Sequence, residues 1–155
     1  VGMSGMNSTF AGCSGITSVD LSSLETVGNS GLYYTFKDCT GIYGRLDLSS
    51  LQSVGNYGLS QAFTRCTNII TVDFSSLQSV GSNGMLRAFE GCEHLTAISF
   101  PSLTSVQTDS FGSAFQGCTN LEEIRFRADM QSTIEALTGY SSQFGAGRAT
   151  IYFDL

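Results

Sequence analysis

The sequence predicts an α/β solenoid, a superhelix of about five 26-residue repeats. Each repeat is expected to carry short parallel strands and short helical turns, with a C-terminal cap closing the stack. Three observations predict this. Phe10, Phe36, Phe63, Phe89 and Phe115 recur at intervals of 26, 27, 26 and 26 residues. Each is followed three residues later by a cysteine: Cys13, Cys39, Cys66, Cys92 and Cys118. Other apolar residues then fall into columns at the same period, among them Ile16, Ile42, Ile69, Leu95 and Leu121, and Val1, Val27, Val54, Val80 and Val106. A unit of this length cannot bury both of its faces alone, so neighbouring units must stack and share one core.

The elements follow in chain order. "VGMSGMNSTF" aligns with "VGNSGLYYTF", so the first residues already belong to a repeat. In "ITSVDL" the end alternates, with Val19 and Leu21 inward and Asp20 outward, which is strand periodicity. The same reading applies to Leu46 and Leu48, Val72 and Phe74, Ile98 and Phe100, and Ile124 and Phe126. A turn at each Ser-Ser-Leu triplet leads to a second extended stretch ending in the valine column. Met85, Phe89 and Cys92 then sit at i, i+4 and i+7, the spacing of one helical face. Repeat two carries one extra residue between Ile42 and Leu46, which predicts a bulge. Gly44 supplies the backbone freedom there and Tyr43 or Arg45 is thrown outward. Residues 1–127 form the repeats. Residues 128–155 break the period and form a cap within the same domain. In the cap, "STIE" (Ser132 to Glu135) reads as a capping box opening a short helix, with Ile134 and Leu137 inward and Gly139 as its stop. "SSQFGAG" reads as a loop and "ATIYFDL" as a last strand.

Cys92 and His94, the chain's single histidine, raise the question of a reactive centre. A nucleophile needs one special environment with a base beside it, whereas cysteine fills this position in every repeat. A zinc site needs converging ligands, and these cysteines run in a line, one per repeat. They read as small buried thiols at a tight corner. The count is odd and stacked side chains point the same way, which argues against disulfides. The column of His94 reads Gly15, Gly41, Asn68, His94 and Asn120. These residue types tolerate a left-handed backbone, so a turn position with positive φ is expected. No catalytic residue, metal or cofactor is expected.

The unit "AFEGCEHLTAISFPSLTSV" resembles the BspA-like (Treponema-type) leucine-rich repeats of bacterial surface proteins, whose signature is a repeated AF-x-x-C-x-x-L-x-x-I. The likeness covers roughly residues 1 to 127. The asparagine of the general leucine-rich pattern is missing, with Leu24, Leu51, Leu77 and Leu103 near its place. The resemblance implies a solenoid used on cell surfaces for adhesion or partner binding, and so an extracellular or bacterial cell-surface location. The last residues resemble, more loosely, tails of repeat proteins in gut bacteria and their phages.

Composition narrows the partner. Thirteen acidic against seven basic residues give a net charge of −6, which lacks the basic footprint of a nucleic-acid binder. No apolar run approaches the ~18 residues of a membrane span. The chain opens on Val1 with no signal-peptide pattern, which points to an excised or processed piece with repeats upstream. Weak self-association through that amino end is expected.

The candidate binding face is the outward strand column, Asp20, Asp47, Asp73, Ser99 and Arg125, with Arg45 and Tyr43 beside it. Three aspartates at strand spacing repel one another by roughly 1 kcal/mol per neighbour in water. Such a row is either a solvated face or a patch for a basic partner or a divalent cation. Three carboxylates in a straight row offer too few converging oxygens for a tight calcium site. Glu123, Arg125 and Arg127 change its sign at the far end, and Tyr33, Tyr34, Tyr43 and Tyr57 gather in the early repeats. The function expected is a non-enzymatic surface binding or adhesion module for a protein or glycan partner, the alternative being a structural spacer or a phage virion (tail-associated) component.

Overall fold

A computed structural model describes residues 1–155. The chain winds as stacked coils carrying two parallel sheets. The larger sheet has the order β2-β4-β6-β8-β9, comprising Gly44–Asp47, Ile69–Asp73, Ala97–Phe100, Glu123–Phe126 and Thr150–Phe153. The smaller sheet, β1-β3-β5-β7, is built from two-residue strands at Thr26–Val27, Ser53–Val54, Ser79–Val80 and Ser105–Val106. Both strand stretches read from the repeat are therefore present, in register from coil to coil: Val27 pairs with Val54, Val54 with Val80, and Val80 with Val106.

The third part of each repeat corrects the helical reading. Between the valine and cysteine columns there is no helix but a ribbon of overlapping turns. In the second coil the N–H groups of Gly31, Tyr33, Thr35, Lys37 and Cys39 each donate to the carbonyl three residues back. The N–H groups between them, from Ser30, Leu32, Tyr34, Phe36 and Asp38, donate to carbonyls of the next coil, Asn56 to Thr64. Every fourth residue has positive φ to allow this alternation, as at Ser30, Tyr34 and Asp38, or Asn83, Arg87 and Gly91. The four-residue period of the turns places the same side chains inward as a helix would, which is why the spacing of Met85, Phe89 and Cys92 reads as helical. Helix occurs only in the cap.

The core is one cluster of 38 buried apolar residues. Two ladders of rings run through it. Phe10, Phe36, Phe63, Phe89 and Phe115 stack with centroids 5.6, 5.4, 5.5 and 6.2 Å apart. Phe74, Phe100, Phe126 and Phe153 stack at 5.5, 5.1 and 6.0 Å. The second ladder crosses from the repeats into the cap, so cap and repeats share one apolar interior.

The bulge is where the spacing put it. The β2–β4 register shifts between Gly44 and Arg45, and Gly44 adopts φ +86, a value that favours glycine. Tyr43 is 70% exposed and the Arg45 side chain also points to solvent. The irregularity leaves the first coil weakly joined to the sheet. Only the Tyr43 N–H reaches it, at the Thr17 carbonyl, and residues 17–21 form no strand.

In the cap, α1 spans Gln131–Glu135 and buries Ile134. The capping box is not made: Met130 is the N-cap, with no side-chain cap hydrogen bond, and Ser132 lies inside the helix. Gly139 is not the stop: the helix ends at its C-cap Ala136, and Gly139, at φ +83, instead opens the next stretch. The loop reading of "SSQFGAG" misses a kinked 3-10 stretch, Tyr140–Gly145, that holds Phe144 in the core against Phe111 and Phe126. No helix is long and apolar enough to cross a membrane.

Candidate functional site

The cysteine column is structural in the four later coils. The Sγ–H of Cys39, Cys66, Cys92 and Cys118 donates to the carbonyl of Phe10, Phe36, Phe63 and Phe89, at 3.0, 3.0, 3.3 and 3.1 Å. Each thiol thus ties its coil to the preceding one at the corner. Burial pushes the Cys66 and Cys118 thiols up to about 12 and moves Cys92 well above its usual value. Such thiols are poor nucleophiles at neutral pH. Cys13, in the first coil, departs from the expected buried column and is exposed.

His94 departs from its expectation too. It is absent from the residues with positive φ, as are the other members of its column. Its Nδ1 instead lies 2.8 Å from the Thr67 carbonyl of the preceding coil, and Asn68 Nδ2 makes the same contact to the Thr40 carbonyl. At Gly41 of the same column a Cβ would meet the Ser14 carbonyl oxygen at 2.3 Å.

The candidate face is the outer side of the five-stranded sheet. Asp47 pairs in register with Asp73, and Ser99, Arg125 and Tyr152 continue the row on β6, β8 and β9. Asp20 lies outside the sheet, in the unpaired stretch of the first coil. Repulsion along the row is outweighed by local hydrogen bonds: the Ser22 bonds lower the Asp20 carboxyl more than Asp47 raises it. Each aspartate turns Oδ1 onto the N–H of the serine two residues on: Asp20 to Ser22 at 3.1 Å, Asp47 to Ser49 at 3.0 Å, Asp73 to Ser75 at 2.8 Å. The hydrogen bonds from Ser22 and Ser49 hold the carboxyls of Asp20 and Asp47 below the usual range. For Asp73 partial burial pushes upward, but the Ser75 bonds and the Arg45 guanidinium outweigh it and the net shift is down. The aspartates thus fasten the turn that follows each strand.

Across this face, ion pairs stand on either side of a low centre. Arg45 pairs with Asp73 on one side. On the other, Arg125 is held by Glu123 at 3.0 Å and by Asp154, and lies 4.5 Å from the Tyr152 ring centroid. Between them β6 offers only Ala97 and Ser99. Thr71, Ala97, Ser99, Glu123 and Arg125 line a shallow depression there. Tyr152 and Asp154 escape a repeat-based reading because they come from the cap strand, beyond the last Phe-x-x-Cys unit.

These coils, with their paired strand stretches and thiol-bonded corners, match the model of the BspA type leucine-rich repeat region over residues 6–114 and 34–139. The chain belongs to this family. A leucine-rich repeat protein from Bacteroides ovatus, known from a crystal structure, is similar at 21% identity with a TM-score of 0.47. That similarity covers 96% of this chain but 39% of the other, so the present sequence corresponds to well under half of that protein's length. No curated protein matches the chain.

Two asparagines, at a different place from the one missing in the leucine-rich pattern, link three coils. Asn29 Oδ1 accepts the Asn56 N–H at 2.9 Å, and Asn56 Oδ1 accepts the Ser82 N–H at 3.0 Å. Their position directly after the Val-Gly pair, where the ribbon starts, was the available signal.

Proposed function

We propose that the chain is a non-enzymatic recognition module that takes a protein or glycan partner on the outer face of its five-stranded sheet, at an extracellular or cell-surface location. One contrast supports this reading most. The inward columns keep the same residue type from coil to coil, while the outward column runs Asp47, Asp73, Ser99, Arg125 and Tyr152. Packing requires the first kind of uniformity. Turn fastening accounts for the aspartates but not for Ser99, Arg125 and Tyr152, and the variation gives the row one acidic end and one arginine–tyrosine end around a shallow centre. Long exposed faces of this sort suit partner binding without chemistry, although fold likeness alone does not specify a ligand.

The test is saturable binding of the whole chain to arrayed proteins and glycans, repeated with Arg125→Ala and Arg45→Ala. Binding that weakens at least tenfold in either variant, with an unchanged melting temperature, supports the reading. Absence of any saturable partner, or a partner indifferent to both substitutions, would reject it and favour a spacer or virion component.

A further inference from the structure

We propose a second binding site on the turn ribbon, away from the strand face, formed by Tyr33, Tyr34, Lys37 and Tyr57 and suited to a carboxylate-bearing saccharide. The ribbon has three left-handed positions in each of five coils, all with positive φ. Thirteen of these fifteen hold Ser, Asn, Asp, Gln, Arg or Gly; the other two are Tyr34 at φ +56 and Tyr57 at φ +55. A bulky aromatic is unfavourable in that conformation, and the neighbouring coils show that serine serves the fold there: Ser8 and Ser113 align with Tyr34, Ser4 and Ser30 with Tyr57. Strain kept where a small polar residue would fold equally well points to a use for the ring.

The two strained tyrosines lie on adjacent coils and do not stand alone. Tyr33 packs edge-on against Tyr34 with centroids 4.2 Å apart. Tyr57 is 43% exposed, and its hydroxyl accepts from Asn83 Nδ2 at 3.3 Å. Lys37 Nζ sits 5.0 Å from the Tyr34 ring centroid and makes no salt bridge, unlike Arg65 and Arg87 on the same ribbon, which pair with Asp38 and Glu90. The site therefore joins aromatic plates to one cation that makes no salt bridge, on a chain of net charge −6.

The occupant follows from what the site lacks. The backbone beneath is paired with the next coil, so it offers no edge for an added peptide strand. Three tyrosines supply at most roughly 150–250 Å² each, short of the ~800 Å² per partner of a stable protein interface. A pyranose ring fits the scale: its C–H face lies on a tyrosine, its hydroxyls meet the phenols, and a carboxylate reaches Lys37.

The test uses the whole chain and a hexasaccharide of alternating glucuronate and N-acetylglucosamine, with the neutral N-acetylglucosamine hexamer as its matched control. The chain has six tyrosines and no tryptophan, so tyrosine fluorescence includes the three rings of the site, and the Tyr34→Ser and Tyr57→Ser variants assign the quenching to them. We expect saturable quenching by the acidic sugar and at least tenfold weaker binding of the neutral one. Tyr57→Ser and Tyr34→Ser should each weaken binding at least tenfold while leaving the melting temperature unchanged or higher. Lys37→Gln should erase the preference for the acidic sugar. No quenching by either sugar, equal binding of both, or acidic-sugar binding that survives Tyr57→Ser overturns the proposal. Loss of that binding on Arg125→Ala with Tyr57→Ser unaffected would move the sugar to the strand face, leaving the recognition reading intact and this site refuted.

Discussion

The first and last coils carry the same sequence pattern and meet different fates. In the last, Phe111, Phe115, Leu121 and Phe126 are fully buried beneath the cap, and Cys118 with them. In the first, Val1, Met6, Phe10, Ile16, Val19, Leu21 and Leu24 are only partly buried, and Cys13 is exposed. The backbone differs in the same way. The carbonyls of Met3, Gly5, Asn7, Thr9 and Ala11 accept no backbone hydrogen bond, and on the ribbon of the last coil only the Phe115 N–H is taken up by the cap, at the Phe144 carbonyl, while those of Asp109, Phe111, Ser113 and Gly117 are not. Burial in a solenoid is thus set by the neighbour on each side rather than by the residue's own column.

The largest expected effect comes from opening the covered end. Phe144 is fully buried and its ring meets those of Phe111, Phe126 and Tyr140. Phe144→Ala should cost about 3–5 kcal/mol in urea unfolding, the usual range for deleting a buried ring. Phe10 stacks on Phe36 alone and is partly solvated, so Phe10→Ala should cost less than about half as much. Equal losses would show that the two ends are bound alike and break the comparison.

The thiols sharpen it. Cys13 is exposed, while the other four cysteines are buried. A thiol reagent at pH 7.5 should label one site quickly and the remaining four only on unfolding. Cys13→Ser should abolish the fast phase and leave the slow one unchanged. Two or more fast equivalents in native protein would contradict the buried ladder.

The sequence made the repeat legible because packing repeats. Phe-x-x-Cys, the valine column and the bulge at Gly44 are all demands of stacking, and each recurs or fails at a countable position. The turn ribbon was misread as helix because both put Met85, Phe89 and Cys92 on one side; the two differ in backbone sign at every fourth residue. A row of Ser, Asn, Asp, Gln, Arg and Gly at those positions was the visible sign, diluted by Tyr34 and Tyr57. The strand face was half legible. Asp47, Asp73, Arg45 and Arg125 were in place, but Tyr152 and Asp154 arrive through the cap, which has no second copy to align with. The asparagine ladder of Asn29 and Asn56 was hidden because only two coils carry it before Ser82 and Thr108 take over.

The smallest effect compares the aspartates of the joined and the loose coils. Asp73 sits in the sheet, holds the Ser75 N–H and faces Arg45; Asp20 holds Ser22 from a stretch that forms no strand. Asp73→Ala should cost roughly 1 kcal/mol, as for loss of a side-chain cap. Asp73→Asn keeps the acceptor for Ser75 and loses only the charge pair with Arg45, so it should cost under about 0.5 kcal/mol. Asp20→Ala should fall below both, because the turn it fastens is not paired to a neighbouring strand. The Asp73 carboxyl is held below its unfolded value, so its contribution is complete at neutral pH and is lost as the pH drops through that lowered value. The gap between parent and Asp73→Ala should therefore be full in urea unfolding at pH 7 and shrink progressively below about pH 4. A gap of the same size at pH 7 and pH 3 would show that Asp73 acts by shape and not by charge. An Asp20→Ala cost equal to that of Asp73→Ala would show that the first coil is fastened as firmly as the rest.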